Sequence, residues 1–491
     1  MKDSTHEKNI YSRSSIASNA LWRILERCAS EGVTIAVSVI LLRLLSPPEY
    51  GVVAIITTII MVLNVFLTSG LADSLIQKKD ADNLDFSTLF WVNVGVAATL
   101  YTAMFILAPS IARFYELPEL TALIRVLSLR LIITSVNSIQ CAYVARNMLF
   151  KKYFISTLSS KIGSGVLGIA IALMGGGAWA LVAQNLSLLL IETVIIWFRV
   201  RWRPEFRFSM DRARKLLGFG WKIMAYQFAT TVSNQARSFI IGKKYSSEDL
   251  AFYSKGNQFP SAISSNLSTI VNSIIFPVLS HYQDDRALVK AHFRKALSLL
   301  TYCIFPLLIG LASISIQLVT FLYTEKWLNM VPYLRIACVT YMIFAMELPI
   351  RLLINSVGFS TVTMKVELSK CAFTLIVVAI SMIYGVMTVA FSMIICELFT
   401  LTLYLIKANR IIQYTLIEYI HDIIPNLLIS LCMGTCVLMI SMIKTSTILS
   451  LCIQVMTGAF VYILLSKLFR IDSFIMVKRM LKQKQLRTYQ E

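Results

Sequence analysis

The chain has 491 residues, of which 57% are hydrophobic and 15% are charged, and its mean hydropathy is +0.71. A soluble domain has roughly 45–50% apolar and about 25% charged residues, so this composition argues against a soluble enzyme. It also excludes a disordered chain, a collagen-like repeat and a small disulfide scaffold. The net charge of +20 would suggest nucleic-acid binding in a soluble protein, whereas in a membrane protein it reflects orientation or an anionic substrate.

Hydropathy predicts about fourteen membrane-spanning helices. A helix crosses about 30 Å of hydrocarbon with roughly 20 mainly apolar residues. The apolar runs of this chain have that length and do not alternate, so they are not the short strands of a membrane barrel. In chain order the predicted spans are 17–42, 50–73, 87–110, 118–143, 154–174, 178–198, 216–241, 257–280, 296–321, 333–355, 366–385, 387–406, 422–443 and 447–466.

The basic residues of the connecting segments predict the orientation. With the N-terminus placed in the cytoplasm, thirty Lys and Arg residues fall in inside segments and seven in outside segments. This asymmetry obeys the positive-inside rule, so both termini are expected in the cytoplasm. Two inside segments are especially basic, residues 199–215 and the C-terminal tail, and we interpret them as topology signals that need no ligand.

Nine further basic residues lie within predicted spans, with Arg351, near the end of the tenth span, counted in the inside segment that follows it. Each charge there costs about 2.5–3.5 kcal/mol on insertion scales and therefore tends to face a polar interior. Some of them, such as Arg125, Lys161 and Arg335, can instead snorkel from a span end or pair with a carboxylate. Because the first apolar stretch contains charges of this kind, we expect that it is not a cleaved signal peptide.

Polar residues recur at spacings of three and four in the first and seventh spans, which places them on one helix face. The first stripe comprises Arg23, Arg27, Ser30, Glu31, Thr34 and Ser38, and the seventh-span stripe comprises Lys222, Tyr226, Thr230, Ser233, Asn234 and Arg237. The second and eighth spans carry Thr57, Asn64, Thr68 and Asp73, and Ser261, Ser264, Ser265, Ser268 and Asn272. These four helices are predicted to line one cavity. For the hydroxyls, hydrogen bonding between helices is the alternative.

A weak internal repeat relates the two halves of the chain. Trp22-Arg23-Ile24 matches Trp221-Lys222-Ile223, and a similar turn follows each of these helices. We therefore predict an all-α polytopic membrane protein with two pseudo-symmetric six-helix lobes around a central cavity, plus two extra helices. Parallel repeats of this kind belong to transporters that rock around a central site. The predicted regions are an N-terminal lobe (1–198), a cytoplasmic basic linker (199–215), a C-terminal lobe (216–406), and spans 13 and 14 with a basic tail (407–491).

The sequence contains no recognisable catalytic constellation. No P-loop is present, and the four histidines are scattered. The nine cysteines fall within spans, where small apolar packing residues are the better interpretation. We expect no enzyme activity, no bound metal and no cofactor.

Several stretches resemble a known family. They are LLRLLSPPEYGVVAI (41–55), DFSTLFWVNV (85–94), APSIARFYELPELTALIRVLSL (108–129), RWRPEFRFS (201–209), FPVLSHYQDD (276–285) and EKWLNMVPYLRI (325–336). The chain resembles Wzx-type polysaccharide flippases, close to the colanic-acid and teichuronic-acid exporter branch of the multidrug/oligosaccharidyl-lipid/polysaccharide exporter superfamily. The resemblance implies fourteen helices, two lobes and a cationic cavity. It also implies a lipid-diphosphate-linked oligosaccharide as substrate, with undecaprenol as the usual lipid.

Our hypothesis from the sequence is a flippase that moves this lipid from the cytoplasmic to the outer leaflet of the bacterial plasma or inner membrane, by alternating access through a cationic cavity. Four basic residues are predicted to offset the diphosphate charge, because desolvated anions need such partners: Arg23, Arg27, Lys222 and Arg237. Three acidic residues are candidate sites for a coupling ion, with pairing to a neighbouring arginine as the alternative: Glu26, Glu31 and Asp73. The expected partners are the lipid-linked oligosaccharide, membrane lipid and polysaccharide assembly proteins, and no nucleic acid.

Three other functions stay open on the sequence alone. A multidrug exporter of the same superfamily would handle cations, and we expect carboxylates to dominate its cavity. A membrane glycosyltransferase, polymerase or ligase would need a sizeable extramembrane loop with acid and base residues. An accessory structural membrane protein would not need paired polar stripes.

Overall fold

The described part of the chain is α-helical apart from turns, one 3₁₀ segment and the irregular residues 200–209. The structure, a computed structural model, describes residues 13–70, 74, 75, 78, 80–282, 285–443, 446–476 and 478. The side chains of residues 13–28, 150, 151, 219, 270, 272–274 and 276–278 lie outside the described part. The chain divides into two compact units, Met1–Leu250 and Ala251–Glu491.

The first unit contains eight helices among its described residues. They are α1 (Arg13–Leu44), α2 (Pro47–Thr68), α3 (Asn83–Tyr115), α4 (Leu120–Leu127), α5 (Leu129–Arg146), α6 (Phe150–Leu173), α7 (Ala178–Arg199) and α8 (Met210–Lys244). The next helix, α9 (Ser247–His281), begins just before the boundary between the units. The second unit continues with α10 (Arg286–Ser313), α11 (Ser315–Tyr323), a 3₁₀ segment (Glu325–Met330), α12 (Val331–Ser356), α13 (Ser360–Ser381), α14 (Val386–Ile412), α15 (Leu416–Ser441) and α16 (Thr447–Leu468).

Every predicted span coincides with helix in the described residues. Helices α4 and α5 share the fourth span, and α10 and α11 share the ninth. Ten helical stretches of the described chain are long and apolar enough to cross a membrane, which identifies a multi-pass membrane protein. The helices of predicted spans 1, 7, 8 and 11, which are α1, α8, α9 and α13, do not reach that apolarity. Three of these four carry the polar stripes. The count of fourteen spans stays a prediction.

Helix α8 packs antiparallel along α2 through side-chain contacts, and the backbone at the start of α9 comes close to the start of α2. The Phe66 and Phe228 rings lie 5.3 Å apart, and the amide of Gln235 contacts the Met61 sulfur at 3.5 Å. A Cβ built on Gly51 would lie 1.7 Å from the carbonyl oxygen of Ser247, a distance that no side chain tolerates. Position 51, in the first turns of α2, therefore requires glycine, because the backbone of the first residue of α9 lies against it.

The predicted linker is anchored to the first unit. Residues 200–209, named here the linker segment, lie against the start of α3 and against α5. The indole of Trp202 donates a hydrogen bond to the Asn83 side chain at 2.6 Å, and the indole of Trp91 donates to the Glu205 carbonyl at 2.9 Å. The side chain of Gln140 donates to the Trp202 carbonyl at 3.1 Å. Buried aromatic rings and backbone hydrogen bonds thus fix a segment whose sequence suggested only a basic connection.

The start of α3 combines a helix cap with ion pairs. Asp82 accepts a hydrogen bond from the Asp85 amide at 2.9 Å, as capping residues do. Arg212 of α8 pairs with Asp82 and lies 3.1 Å from the fully buried carboxylate of Asp85. Lys78 also pairs with Asp85. The hydrogen bond from Arg212 and that from the Asp85 amide lower the pKa of Asp82 to about 2.

An equivalent network in the second unit joins α10 to α15. Arg294 contacts both oxygens of Asp422, at 2.7 and 2.6 Å, and the Tyr414 hydroxyl donates to the same carboxylate at 2.7 Å. Lys290 pairs with Glu418 at 2.8 Å. The helices of predicted spans 13 and 14 are therefore attached to the body of this unit, since the hydroxyl of Tyr462 on α16 also donates to a carbonyl of α10.

We expect Gly51→Ala to destabilise the protein by about 1–3 kcal/mol, because the added methyl group forces the backbone apart. Gly95→Ala is the matched control, since a Cβ at Gly95 meets nothing within 4 Å. Alanine there should be neutral or stabilise the helix by up to about 1 kcal/mol. Thermal unfolding of the detergent-solubilised variants measures both effects. Equal stability of the two variants would contradict the close contact at Gly51.

The Asp82–Arg212 pair predicts a specific acid sensitivity. Because the pKa of Asp82 is lowered from 3.8 to about 2 in the folded protein, the pair stabilises the fold above about pH 4, and this contribution is lost as the pH falls towards 2. Asp82→Asn should therefore be less stable than wild type near neutral pH. The difference between the two should shrink between pH 4 and 2. Tryptophan fluorescence during acid titration follows this, and a constant difference across that range would refute it.

Candidate functional site

The structure places the predicted cationic residues on two helices of the first unit. Arg23 and Arg27 lie on α1, one turn apart, so the helix places them on one face. Their side chains, and that of Glu26, lie outside the described residues, as does Asp73. Glu31 lies on α1 and is half-buried. Helix α1 packs on α6, where a Cβ at Gly165 would meet Val37 at 2.4 Å.

Lys222 and Arg237 lie on α8 in different environments. Lys222 is exposed, whereas Arg237 is 7% exposed. Fifteen residues separate them, which corresponds to about 22 Å along a helix axis. One diphosphate group cannot contact both at once, so the arrangement offers two successive positive positions rather than one four-residue cluster.

The hydroxyl groups of the predicted stripes bond mainly within their own helices. Several donate to a carbonyl three or four residues earlier: Thr34 to Ser30, Thr57 to Val53, Thr68 to Asn64, Thr230 to Gln227, Ser261 to Gln258 and Ser265 to Ala262, at 2.7 to 3.1 Å. Such bonds satisfy a hydroxyl without a neighbouring helix or water. These hydroxyl groups therefore need neither a water-filled cavity nor a hydrogen bond to another helix.

Three other serines behave differently. The hydroxyl oxygens of Ser38, Ser264 and Ser268 are buried and have no hydrogen-bond partner within the described part of the chain. Ser264 and Ser268 are one turn apart on α9. Polar groups that are buried without a partner are uncommon, and they mark positions where a ligand or water completes the bonding.

The second unit contains a charge cluster to which the sequence pattern assigned no role. Its members lie on three helices: Glu347 and Arg351 on α12, Glu367 and Lys370 on α13, and Glu397 on α14. The Lys370 ammonium pairs with Glu397 at 2.8 Å, and Arg351 lies 3.6 Å from Glu367. We call these five residues the membrane charge cluster. Each lies in a predicted span, but they are spread over fifty positions and only the fold brings them together.

Glu347 differs from the other acidic residues of the membrane charge cluster. Its side chain is fully buried, and neither carboxyl oxygen has a hydrogen-bond partner among the described residues. Glu367, in contrast, accepts a hydrogen bond from the Tyr404 hydroxyl at 2.9 Å. The spacing of Glu347 and Arg351 by one helical turn was the available sequence signal, because residues four apart share a face.

Comparison with known sequences supports the resemblance seen in the sequence. A family model described as polysaccharide biosynthesis protein matches residues 40–332, more than half of the chain. The succinoglycan biosynthesis transport protein ExoT of Rhizobium meliloti is 24% identical over 64% of this chain and 63% of its own length. The teichuronic acid biosynthesis protein TuaB of Bacillus subtilis is 27% identical over 56% of this chain and 57% of its own. The chain thus spans less than two thirds of these two relatives.

A longer match and two solved structures extend the comparison. The lipopolysaccharide biosynthesis protein WzxC of Escherichia coli is 22% identical over 73% of each chain. The lipid II flippase MurJ in an inward closed conformation has a TM-score of 0.76 at 14% identity and covers 92% of this chain and 98% of its own. An inward-facing MATE multidrug transporter of the MOP superfamily has a TM-score of 0.60 at 12% identity, over 78% of this chain and 94% of its own. These structures confirm the predicted all-α, polytopic membrane fold.

We expect the loss of one charge of the Lys370–Glu397 pair to destabilise the protein more than the loss of both charges. Lys370→Met leaves the Glu397 carboxylate buried without its partner, which typically costs about 3–5 kcal/mol. The double variant Lys370→Met with Glu397→Gln removes both charges and should recover most of that loss. Thermal unfolding in detergent tests this. A double variant that is less stable than Lys370→Met alone would contradict the pairing.

Proposed function

The chain belongs to the polysaccharide biosynthesis protein family, and we propose that it moves a lipid-diphosphate-linked oligosaccharide from the cytoplasmic to the outer leaflet of a bacterial plasma membrane. The observation that carries the proposal is the family match over residues 40–332. The fold shared with a lipid II flippase agrees with it. Undecaprenol is the proposed lipid, and polysaccharide assembly proteins are the proposed partners.

The proposed orientation places both termini in the cytoplasm. It rests on the excess of basic residues in alternate connecting segments of the sequence. In this orientation α8 begins at the cytoplasmic side, so Lys222 is the inner and Arg237 the outer of its two positive positions. The linker segment then lies at the cytoplasmic surface.

We propose that the diphosphate meets Arg23, Arg27 and Lys222 first and Arg237 later in the cycle, while the prenyl tail stays in lipid. The separation of about 22 Å along α8 suits two stages of passage rather than one binding position. The two lobes would rock to open the cavity outward. A negative-inside potential favours an outward-moving anion by about 2.3 kcal/mol per charge per 100 mV. Glu26, Glu31 and Asp73 stay candidates for the coupling ion.

The test is transport in proteoliposomes loaded with a fluorescent lipid-diphosphate-linked oligosaccharide, with leaflet exposure measured by a membrane-impermeant lectin. We expect Arg27→Ala or Arg237→Ala to slow transport by roughly ten- to a hundredfold, since a hydrogen bond to a charged group contributes about 1.5–3 kcal/mol. Arg113→Ala at the exposed end of α3 is the matched control and should transport normally.

Two results would count against this proposal in different ways. Full rates for both arginine variants at normal protein amounts would refute the cationic positions while leaving the flippase function intact. Wild-type protein that moves no lipid-linked oligosaccharide, but moves an organic cation, would refute the function itself in favour of a multidrug exporter.

A further inference from the structure

The membrane charge cluster carries one more negative than positive charge. When all five groups are ionised, three carboxylates oppose one ammonium and one guanidinium. The Lys370 ammonium pairs with the Glu397 carboxylate at 2.8 Å, and the Arg351 guanidinium lies 3.6 Å from the Glu367 carboxylate. The Tyr404 hydroxyl also donates a hydrogen bond to the Glu367 carboxylate. Glu347 is the carboxyl group in excess, because neither of its oxygens has a hydrogen-bond partner in the described chain.

An ionised carboxylate without a hydrogen-bond partner of its own is too costly to bury at this position. Glu347 lies nine residues before the end of α12, about 14 Å along the helix axis, and its side chain has no exposed surface. Buried charges persist only when they are paired and hydrogen-bonded, and otherwise the group takes up a proton. In the arrangement described here, a neutral Glu347 makes the whole cluster electrically neutral.

The surroundings favour a proton over a metal ion. Among the described residues, no group of three or more His, Cys, Asp or Glu side chains is arranged as a metal site. A hard metal cation needs several oxygen ligands, and two positive side chains already occupy the cluster. A proton needs one oxygen and little space.

The charged groups that face Glu347 come from three helices. Arg351 belongs to α12 itself, Glu367 and Lys370 to α13, and Glu397 to α14. The charged residues of α10, which also packs on α12, are confined to its first ten positions, where Lys290 and Arg294 are paired with α15. The phenol groups of Tyr341, Tyr404 and Tyr419 also lie near the cluster, and the Tyr419 hydroxyl donates to the Met346 carbonyl at 3.1 Å.

The backbone beside Glu347 is suited to a change of conformation. Pro349 lies inside α12, two residues after Glu347. Proline has no amide hydrogen, so the helical hydrogen bond to the Ala345 carbonyl is missing and the helix can bend there. If Glu347 loses its proton, its carboxylate competes with Glu397 and Glu367 for the two cations, and a new pairing changes the contacts between α12, α13 and α14.

We propose that Glu347 carries one proton in each transport cycle. This inference rests on the proposed function. The proton is taken up by the Glu347 carboxylate from water on the outer side and is released to water on the cytoplasmic side, so one positive charge moves inward as one lipid-linked anion moves outward. No bond other than the O–H bond forms or breaks. Release exposes the excess negative charge of the cluster and drives the exchange of ion-pair partners.

The decisive experiment measures the leaflet distribution of the fluorescent lipid-diphosphate-linked oligosaccharide in proteoliposomes with the membrane potential clamped. With one proton per lipid, a gradient of one pH unit should shift the wild-type distribution by about tenfold at equilibrium, the factor that corresponds to one pH unit. Glu347→Gln should still let the lipid equilibrate between leaflets but should show no shift. Glu192→Gln, a buried carboxyl on α7 of the first unit, is the matched control and should behave like wild type.

A second measurement keeps the inference testable without transport. Infrared difference spectra of the purified protein between two pH values should contain a protonated-carboxyl band that is absent from Glu347→Gln and shifted in Glu347→Asp. If Glu347→Gln does not fold, the inference is tested by the infrared band of Glu347→Asp and by the response of that variant to the pH gradient. An unchanged band in a folded Glu347→Gln would overturn the assignment.

The outcomes separate the two proposals. Wild-type protein that equilibrates the lipid but ignores the pH gradient refutes proton coupling and leaves the flippase function standing. A sodium gradient that shifts the leaflet distribution at clamped pH would also refute the proton as the coupling ion. Wild-type protein that moves no lipid refutes the proposed function, while the infrared band still reports whether Glu347 exchanges a proton.

Discussion

A charged side chain within the hydrocarbon layer is stable only if it is paired, hydrated or bound to a ligand. The second unit meets this constraint by pairing: Lys370 with Glu397 across α13 and α14, and Arg351 with Glu367 across α12 and α13. These pairs offset the charges that α13 carries within a predicted span, and α13 is one of the helices that do not reach the apolarity of the ten candidate spanning stretches. They also leave Glu347 as the one acidic member of this cluster without a hydrogen bond in the described chain.

Basic residues at the helix ends are predicted signals of orientation, and they also pair with acidic residues of neighbouring helices. Arg212 pairs with the residues that cap α3, and Lys290 pairs with Glu418, which belongs to the cap of α15. An acidic group in the first turn of a helix is favoured by the helix dipole, and a lysine or arginine from a neighbouring helix then completes the charge balance. Some of the basic residues that form the positive-inside pattern in the sequence therefore also form ion pairs between helices.

Hydropathy was sufficient to place every predicted span on a helix, because a run of about 20 apolar residues has few alternatives. It could not reveal contacts made between distant positions. Gly51 is required by Ser247, and the linker segment is anchored by Trp202 on Asn83. The polar stripes were an ambiguous signal, since Thr34 and Thr57 bond to their own helices. The grouping of spans 7–12 into one lobe stays a prediction. The helix of the seventh span, α8, belongs to the first compact unit.

Exchange of a proton for a lipid requires that binding of either one weakens binding of the other, and this coupling is reciprocal. Typical coupling free energies between sites are about 1–3 kcal/mol. Leaving a buried charge without its partner costs about 3–5 kcal/mol. An exchange of partners among Glu347, Glu367 and Glu397 is therefore large enough to bias the protein between two states. The cations proposed for the substrate lie on α1 and α8 of the first unit, whereas the membrane charge cluster belongs to the second unit, so the two proposals assign the diphosphate and the proton to different residues.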